Sequence, residues 1–436
     1  MSMSNWSRVT AQQIEFIDQL IRGIPARSIP TYDELPYDVY LHKHLILNAP
    51  FLLSAKATSS WSAVRDFRIS PAFQTLSDSA SASTSPSAPN PSSSTHKPNL
   101  TALRRYAHHI VPVANTLAPQ FSEFERSERP LGEVLDLWEN GDEAGDGLYV
   151  KDWHLMAEIE SEGRGVEEVY AVPECLRDDW LNPPYTPGPR APHKDHPEPQ
   201  SASTSDFRFT YLGPPLTYTP LHRDVYGSYS WSANVVGRKV WWLFPPDRLD
   251  AVKDRHGELV FDVRELKDEG GALKILQEEG EIIFVPSGWH HQVVNLDFCI
   301  SINHNFFASP TLPRIYHTLA QSQQRVEEAI ADVKEMIIER LGSESDAWER
   351  EWVDEVQGLL ERDAGWGWRG FWETIQTNLQ TPPTNGAHSP PSQMRNAWVR
   401  EVIRCYKNRR DRSACQNTEP RFFTAIFPSE TPPTHD

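Results

Sequence analysis

Short extended runs dominate the pattern of hydrophobic positions in the middle of the chain. Residues 206–212, 233–244 and 281–286 are each rich in Val, Ile, Phe, Tyr or Trp, and Gly or Pro bounds them. Apolar runs of this length, separated by turn residues, predict a succession of β-strands. The sequence therefore predicts a barrel or a sandwich in the centre of the chain.

Helical periodicity replaces this pattern beyond residue 310. One face of a predicted helix is formed by Val326, Ile330, Val333, Ile337 and Leu341, and Gly342 supplies a stop signal. Further helices are predicted over residues 346–360, 370–379 and 393–407. Near the N-terminus, residues 12–24 have helical spacing, whereas residues 40–53 suit a strand or turn. We interpret the C-terminal helices as packing support for the sheet or as a dimer surface.

Two stretches of biased composition divide the chain. Residues 77–98 consist mostly of Ser, Ala, Pro and Thr, which predicts a disordered insertion, and the proline-rich residues 182–205 predict an exposed loop. The predicted organisation is an N-terminal helical and strand flank over 1–76, the insertion, a β domain over 99–310, and a helical region with a polar tail over 311–436.

Charge and hydropathy exclude several classes of function. The net charge of −18 disfavours unassisted binding to nucleic acid or anionic lipid. No apolar stretch approaches the roughly 20 residues that a membrane-spanning helix needs, and the polar N-terminus lacks a secretory segment. The four cysteines show no CxxC pairing, so no thiolate zinc site is indicated. We expect an aqueous intracellular location.

Candidate metal chemistry begins with a His-x-Asp motif, His222 and Asp224. Two residues that are two apart on a strand project from one face and can bind the same cation. A second His-x-Asp motif, His193 and Asp195, lies among the prolines of the predicted loop, and we reject it because a flexible loop offers no rigid third ligand.

A hydrophobic strand over residues 281–286 leads into a turn that presents two more imidazoles, His290 and His291. Two histidines and one carboxylate form the facial triad that holds non-haem Fe(II) and leaves coordination positions open. Structural zinc sites are usually closed by four protein ligands, so iron is the better prediction. Spacing alone leaves open which of the two histidines completes the triad.

The chain resembles the JmjC-domain 2-oxoglutarate oxygenases, and within them the jumonji domain-containing protein four group. The resemblance is carried by the segments Thr-Pro-Leu-His222-Arg-Asp224, Ser-Trp-Ser-Ala-Asn-Val-Val-Gly-Arg-Lys239, Leu-Phe-Pro-Pro246, Phe-Val-Pro-Ser-Gly-Trp-His-His291 and Ser-Ile-Asn-His-Asn-Phe306. It covers residues 145–310. The fold that it implies is a double-stranded β-helix, the cupin-like JmjC barrel, mainly β with a helical N-terminal flank and a helical C-terminal region.

The resemblance also implies roles for individual residues. It makes His222, Asp224 and His291 the iron ligands and the catalytic centre, because the family's second histidine stands three residues after the glycine that is Gly288 here. It makes Lys239 the anchor for the far carboxylate of 2-oxoglutarate. A buried lysine that meets a carboxylate gains a charge-assisted hydrogen bond, whereas its neighbour Arg238 is expected on the opposite face. Further candidates for binding 2-oxoglutarate are Thr219, Tyr149, Ser232, Asn234 and Asn305. Some relatives carry Asn at the position of Ser232, which leaves that contact open.

The implied activity is that of a 2-oxoglutarate-dependent dioxygenase. Fe(II), 2-oxoglutarate and O2 would support hydroxylation of a protein C–H bond, and the group implies a lysine side chain of a translation termination release factor. That substrate favours a cytoplasmic location, with the nucleus left open. An N-methyl-lysine demethylase of the same chemistry is the first alternative.

Two alternatives belong to other classes. The first is a catalytically silent cupin-like module that serves assembly. The second is nucleic-acid binding through a basic cluster in the C-terminal region, which we consider a weaker prediction because such a cluster more often caps a solvated helix end. The cluster comprises Arg400, Arg404, Lys407, Arg409, Arg410 and Arg412. The sequence makes no prediction of oligomeric state.

Overall fold

The computed structural model describes residues 10–25, 28–69, 96–120, 123–182, 206–380 and 388–408. Its strands are β1 Thr31–Tyr32, β2 Phe51–Leu53, β3 Arg68–Ile69, β4 Lys97–Pro98, β5 Ile110–Gln120, β6 Glu123–Pro130, β7 Leu148–Trp153, β8 Arg208–Gly213, β9 Tyr218–Arg223, β10 Tyr229–Val236, β11 Lys239–Phe244, β12 Leu273–Gln277, β13 Ile282–Val285, β14 His290–Asn295 and β15 Cys299–Phe306.

The α-helices are α1 Ala11–Ile21, α2 Tyr37–Val39, α3 Ser62–Asp66, α4 Leu100–Leu103, α5 Leu131–Asn140, α6 Leu155–Ser161, α7 Leu312–Ala329, α8 Ala331–Leu341, α9 Asp346–Ala364, α10 Trp368–Gln380 and α11 Ser392–Lys407. A π-helix, Tyr40–Ile46, follows α2. Among the described residues, no helix is both long enough and apolar enough to cross a bilayer.

Two sheets form the double-stranded β-helix, which confirms the predicted fold class. The larger sheet has the strand order β1-β2-β13-β10-β15-β8-β7-β5-β6, and the smaller has the order β12-β11-β14-β9. All pairings are antiparallel except that of β1 with β2. Side chains of both sheets line a shared cavity, so the two sheets face each other.

Alternation along each strand decides which side chains enter this cavity. On β11, Val240 and Trp242 join the apolar cluster outside the smaller sheet, where Ile17 and Leu20 of α1 also pack. Lys239 has the opposite parity and points inward. The predicted run 233–244 is in fact two strands, because Gly237 turns the chain with a φ of +79°. A Cβ at Gly237 would lie 2.5 Å from the carbonyl oxygen of Phe298, so only glycine fits this turn.

The largest apolar core lies on the outer face of the larger sheet. Trp231 of β10, Ile302 of β15 and Val150 of β7 pack there against α5, α6 and the π-helix. A third cluster, formed by the C-terminal helices, packs on Phe307 directly after β15. The polar cavity is therefore enclosed by apolar layers that hold its strands in place.

The C-terminal helices match the predicted periodicity but not its continuity. Val326, Ile337 and Trp352 are buried in one cluster, and Ile330 and Val333 pack against it, as the apolar face predicts. The single helix predicted here is wrong, however, because Ile330 leaves helical geometry with φ −119° and ψ 27° and separates α7 from α8. Gly342 ends α8 as predicted.

Of the two elements predicted in the N-terminal flank, the helix is confirmed and the extended segment is partly wrong. The predicted helix over 12–24 is confirmed as α1, which begins with a capping box formed by Thr10 and Gln13. The strand or turn predicted over 40–53 is wrong for its first half, because residues 40, 41, 44 and 45 are buried with helical spacing and form the π-helix. Only β2 is extended.

The two predicted low-complexity stretches fall mainly outside the described residues. At the end of the first, Lys97–Pro98 is described and pairs with Arg68–Ile69 as a two-stranded ribbon. Of the second, Asn182 is described and is buried, with its side chain donating to the carbonyl oxygen of Asn305 at 2.8 Å.

Candidate metal centre

A β-bulge in β9 places two side chains of the candidate site on the same wall. His222 pairs with His291, and Thr219 pairs with Val293, so three steps along β9 match two steps along β14. The extra residue in β9 reverses once the alternation of side chains between the two faces of the sheet. Both Thr219 and His222 therefore face the cavity, although they are three positions apart on the strand.

The three predicted ligands meet at one end of the cavity. Ligand atoms of His222, Asp224 and His291 all lie within 4.8 Å of one another. The imidazole rings of His222 and His291 have centroids 4.2 Å apart, because their strands are direct neighbours. A single cation between these atoms could bind all three on one side and keep further positions open.

Hydrogen bonds fix the orientation of His222 and Asp224. The Nδ1 atom of His222 lies 2.9 Å from the carbonyl oxygen of Pro220, which favours the tautomer with a free lone pair on Nε2. Asp224 accepts a hydrogen bond from the hydroxyl of Ser230 at 2.6 Å and another from the amide of Asn305 at 3.1 Å. Ser230 and Asn305 are themselves register partners on β10 and β15. The carboxylate is thus held from two strands.

Both histidines are kept neutral by their surroundings. Burial lowers the pKa of His222 well below its usual value, and the charge of Lys151 acts in the same direction, as protonation of His291 would. Burial also lowers the pKa of His291, although the nearby Asp224 carboxylate opposes this. Neutral imidazoles with available lone pairs are what metal coordination requires.

His290 does not join the cluster. On β14, Val294 packs in the outer apolar cluster with the same parity as His290, whereas Val293 lines the cavity with the parity of His291. Burial lowers the pKa of His290 to about 4. The alternation of β14 therefore supports the choice of His291, which spacing alone left open; its role as an iron ligand stays a prediction.

Lys239 lies at the other end of the cavity. Its ammonium donates to the hydroxyl of Ser301 at 2.7 Å, its side chain is 2% exposed, and burial lowers its pKa to about 8. Among the described residues, no carboxylate lies within 4.0 Å of this ammonium. Arg238 does not line the cavity, as expected, and its side chain pairs with Asp297 at 2.8 Å. A buried cation without an acidic partner is a ready site for a ligand carboxylate.

The remaining predicted residues divide into two groups. Tyr149, Thr219, Ser232 and Asn305 line the cavity. Asn234 does not line it; its side chain is fully buried and donates to the carbonyl oxygen of Gln277 at 3.4 Å. The contacts of Asn305 are with Asp224, so its position suits orientation of the metal-binding carboxylate. None of these contacts identifies a ligand, and the proposed roles stay predictions.

Orphaned polar atoms in the cavity indicate a polar occupant. The hydroxyl of Ser232 and the side-chain oxygen of Asn303 are buried and lack hydrogen-bond partners in the described part of the chain. These two residues pair across β10 and β15 and lie between the metal end and Lys239. Buried polar groups without partners are costly, so a ligand that bonds them would stabilise the site. The residues thus fit a metal with a carboxylate-bearing ligand.

Several residues of the site were not predicted from the sequence. They are Lys151, Tyr211, Ser230, Trp241, Val293, Ser301 and Asn303. A usable signal was present in β15, where Ser301, Asn303 and Asn305 alternate with the apolar Ile300 and Ile302. A strand with one polar and one apolar face, lying between two apolar layers, indicates a polar cavity.

A second cluster of possible ligands occurs on the surface and fits a metal poorly. His108 and His109 both place Nε2 about 3 Å from the same oxygen of Glu162, at 3.1 and 2.9 Å, and Arg164 pairs with that carboxylate as well. The Nδ1 atom of His109 is buried without a partner in the described residues, so a metal on Nε2 would leave an unbonded N–H there. The rejected pair, His193 and Asp195, lies outside the described residues.

Comparisons with known proteins agree with this geometry. A family profile described as "JmjC domain, hydroxylase" matches residues 209–306. The chain is 33% identical over 316 residues to the 2-oxoglutarate and iron-dependent oxygenase JMJD4 of Danio rerio, over 69% of this chain and 65% of that protein. It is 37% identical over 246 residues to JMJD4 of Homo sapiens, over 53% of this chain and 54% of that protein.

A plant protein with a different name is about as similar. The arginine-specific demethylase JMJ20 of Arabidopsis thaliana is 34% identical over 317 residues, which cover 70% of this chain and 62% of that protein. The chain spans between 54% and 65% of the length of these three relatives.

Proposed function

This chain contains a JmjC domain and is related to the JMJD4 oxygenases, as the sequence resemblance predicted, and from this premise we propose that it is an Fe(II)- and 2-oxoglutarate-dependent protein hydroxylase. The proposed target is a lysine side chain of a translation termination release factor, modified at carbon in the cytoplasm. The observation that carries the proposal is the cavity itself, with three neutral or anionic metal ligands at one end and a buried ammonium at the other.

Different residues would bind the metal, orient its ligands and bind the cosubstrate in such a site. His222, Asp224 and His291 would hold the metal, and Ser230 and Asn305 keep the Asp224 carboxylate in one orientation. Lys239 would bind the far carboxylate of 2-oxoglutarate. When bound, iron would supply the activation of O2 that couples decarboxylation of 2-oxoglutarate to oxygen insertion into a C–H bond.

Enclosure of the site is the other contribution of the chain. Trp241 and Val293 line the cavity beside His291 and belong to one apolar cluster with Leu243 and Ile283, which would limit the space for water next to a bound ligand. Exclusion of water strengthens the electrostatic contacts inside the cavity and limits side reactions. With the three side chains on one side, the rest of the cavity would leave room for the 2-oxo acid and O2 beside a bound metal.

The lysine and the release factor rest on the resemblance to the JMJD4 group and on charge. A chain with a net charge of −18 attracts a basic target segment, which favours encounter with lysine-rich sequences. The named demethylase among the relatives supports a second candidate, oxidation of an N-methyl group. The two reactions share the metal chemistry and differ in the product.

Mass spectrometry of candidate peptides distinguishes lysine hydroxylation from demethylation. The protein is incubated with Fe(II), 2-oxoglutarate and release-factor peptides, either unmodified or methylated on lysine or arginine. We expect a gain of one oxygen on an unmodified lysine, with stoichiometric succinate. Loss of a methyl group, with no oxygen gain on the unmodified peptides, would favour the demethylase. Succinate formation that Asp224→Ala does not abolish would contradict the proposed site.

A further inference from the structure

Two turns lead the chain to the predicted metal ligands. Asp224 is the first residue after β9 and begins the first ligand turn, residues 224–228, which leads into β10. The second ligand turn, residues 286–289, joins β13 to β14 and ends two residues before His291. The pairing of β9 with β14 ends at Arg223, so it does not hold the backbone of Asp224. The spacing of the Asp224 carboxylate and the His291 imidazole therefore depends on how these two turns are held together.

One buried hydroxyl joins the two ligand turns. Ser287, in the second turn, is 2% exposed and donates from Oγ to the carbonyl oxygen of Gly227 in the first turn at 2.6 Å. Gly227 also closes the first turn, because its N–H donates to the carbonyl oxygen of Asp224 at 3.1 Å. A continuous chain of hydrogen bonds thus runs from Ser287 to the backbone of Asp224. Loss of the hydroxyl would leave a buried carbonyl without this partner, which is costly.

Asn48 of the N-terminal flank holds Ser287 by both of its backbone groups. Its side-chain amide donates to the carbonyl oxygen of Ser287 at 2.9 Å, and its side-chain oxygen accepts from the N–H of Ser287 at 2.9 Å. Asparagine suits this role because it carries a donor and an acceptor at the end of a short side chain. Asn48 has a φ of +56°, a left-handed conformation that Asn adopts more readily than most residues.

The backbone before Asn48 is itself fixed to the rest of the molecule. The hydroxyl of Tyr229 on β10 donates to the carbonyl oxygen of Leu45 at 2.7 Å. The guanidinium of Arg314 on α7 donates to the carbonyl oxygen of Ile46 at 3.0 Å. Asn48 is therefore presented to Ser287 from a segment that is tied to both the larger sheet and the C-terminal helices.

The first ligand turn contains strained backbone that needs such support. Tyr226 has a φ of +60°, which is unusual for an aromatic residue, and Gly227 follows with a φ of +66°. The hydroxyl of Tyr226 donates to the carbonyl oxygen of Gly365 at 3.3 Å, and its ring lies 4.3 Å from that of Trp366. Strained conformations persist only where the surrounding structure holds them. Release of Gly227 by Ser287 would allow the turn to relax and Asp224 to shift.

We propose that Ser287 and Asn48 are positioning residues of the metal centre, which set the spacing between the Asp224 carboxylate and the His291 imidazole without being metal ligands. This inference rests on the proposed function and extends its metal centre into the N-terminal flank. Metal sites need ligands that are held close to their productive geometry by supporting hydrogen bonds. The contacts from Asn48 through Ser287 to the first ligand turn supply that support from outside the cavity.

Two variants break this connection at different points. Ser287→Ala removes the hydroxyl, and Asn48→Gly removes the side-chain amide while permitting the same positive φ. The Kd of Mn(II) is measured by calorimetry, and the visible d–d absorption of the Co(II)-loaded protein reports the ligand geometry. Each variant is expected to raise the Kd of Mn(II) by about tenfold or more and to change the Co(II) spectrum. Because the two residues act in series, the effects in the double variant should be less than additive.

Thr58→Val is the matched control. The hydroxyl of Thr58 is also buried and donates to the carbonyl oxygen of Gly280 at 2.7 Å, which joins the N-terminal flank to the other end of β13. Valine keeps the shape of threonine and lacks the hydroxyl. This variant should lower the midpoint of chemical denaturation as Ser287→Ala does, and it should keep the Mn(II) Kd and the Co(II) spectrum of the wild type.

The inference is overturned if Ser287→Ala and Asn48→Gly keep the Mn(II) Kd and the Co(II) spectrum of the wild type. It is also overturned if Thr58→Val weakens Mn(II) binding as much, because a general loss of stability would then explain the effect. Should Ser287→Ala fail to fold, Asn48→Gly decides alone. If the wild type shows no Mn(II) binding that Asp224→Ala abolishes, the proposed function fails and the positioning role fails with it. If Asp224→Ala abolishes binding and the two variants bind like the wild type, only the positioning role fails.

Discussion

Replacing Lys239 by methionine should weaken the binding of 2-oxoglutarate and raise the free energy of unfolding of the ligand-free protein. Methionine has a similar length and flexibility to the lysine stem, so it fills the same space without the charge. In the protein without ligand, the ammonium is buried with one hydroxyl partner, Ser301. The substitution therefore removes a charge that folding has to bury and that the ligand would otherwise neutralise.

The size of the stability gain follows from the pKa of Lys239. Burial lowers this pKa from 10.5 to about 8, and one pKa unit corresponds to about 1.4 kcal/mol. The protonated form is thus destabilised by about 3 kcal/mol on folding. Because the folded pKa lies below the unfolded one, this cost is full below pH 8 and disappears as the pH rises to the unfolded pKa. At pH 7, Lys239→Met should raise the free energy of unfolding by up to about 3 kcal/mol.

The effect on binding has the opposite sign. A hydrogen bond between charged groups contributes about 1.5–3 kcal/mol, so loss of the ammonium should raise the Kd of 2-oxoglutarate by about one to two orders of magnitude. Chemical denaturation of the ligand-free protein and an anaerobic binding titration measure the two effects on the same sample.

Arg238→Met is the matched control. Arg238 is the adjacent residue on the other side of the sheet, and it makes two side-chain hydrogen bonds to Asp297, at 2.8 and 3.2 Å. Its loss should destabilise the protein by about 1–3 kcal/mol and leave 2-oxoglutarate binding unchanged. The reasoning is refuted if Lys239→Met destabilises the ligand-free protein as much as Arg238→Met does, or if it binds 2-oxoglutarate like the wild type.

Three further predictions concern the same cavity. Ser230→Ala and Asn305→Ala each remove a hydrogen bond to the metal-binding carboxylate and should weaken Mn(II) or Fe(II) binding by about 10- to 100-fold; calorimetric Kd values equal to that of the wild type would contradict this. The Kd of 2-oxoglutarate should be constant below pH 8 and rise by up to about tenfold per pH unit above it, because only protonated Lys239 binds a carboxylate; a flat profile to pH 9.5 would count against that anchor. His290→Gln should retain metal affinity whereas His291→Gln loses it, and the reverse result would exchange their roles.

Much of the fold was predictable because its strands and helices carry strong local patterns. Apolar runs bounded by Gly and Pro marked the central strands, and helical periodicity marked α9, α10 and α11. The pattern did not show where the chain leaves regular geometry. The break at Ile330 preserves the apolar face of both helices, and the π-helix Tyr40–Ile46 buries residues that also suit a strand. Such features depend on packing against the rest of the molecule.

Site residues that belong to a short sequence motif could be predicted. Site residues that are brought together only by the pairing of strands could not. His222 and Asp224 are two apart in the sequence, but their meeting with His291 depends on the register of β9 and β14. Ser301 and Lys151 became visible only when the sheets placed them against the cavity. Asn234 shares the polar alternation of Ser232 on β10, yet its side chain lies outside the cavity, near the irregular pairing of β10 with β15.

The central claim is that His222, Asp224 and His291 hold one iron ion. The most direct test is a crystal structure of the protein grown anaerobically with Fe(II), with anomalous difference maps recorded on both sides of the iron absorption edge. We expect an iron peak within coordination distance of all three side chains. Iron bound instead at His108, His109 and Glu162, or bound without Asp224, would contradict the account.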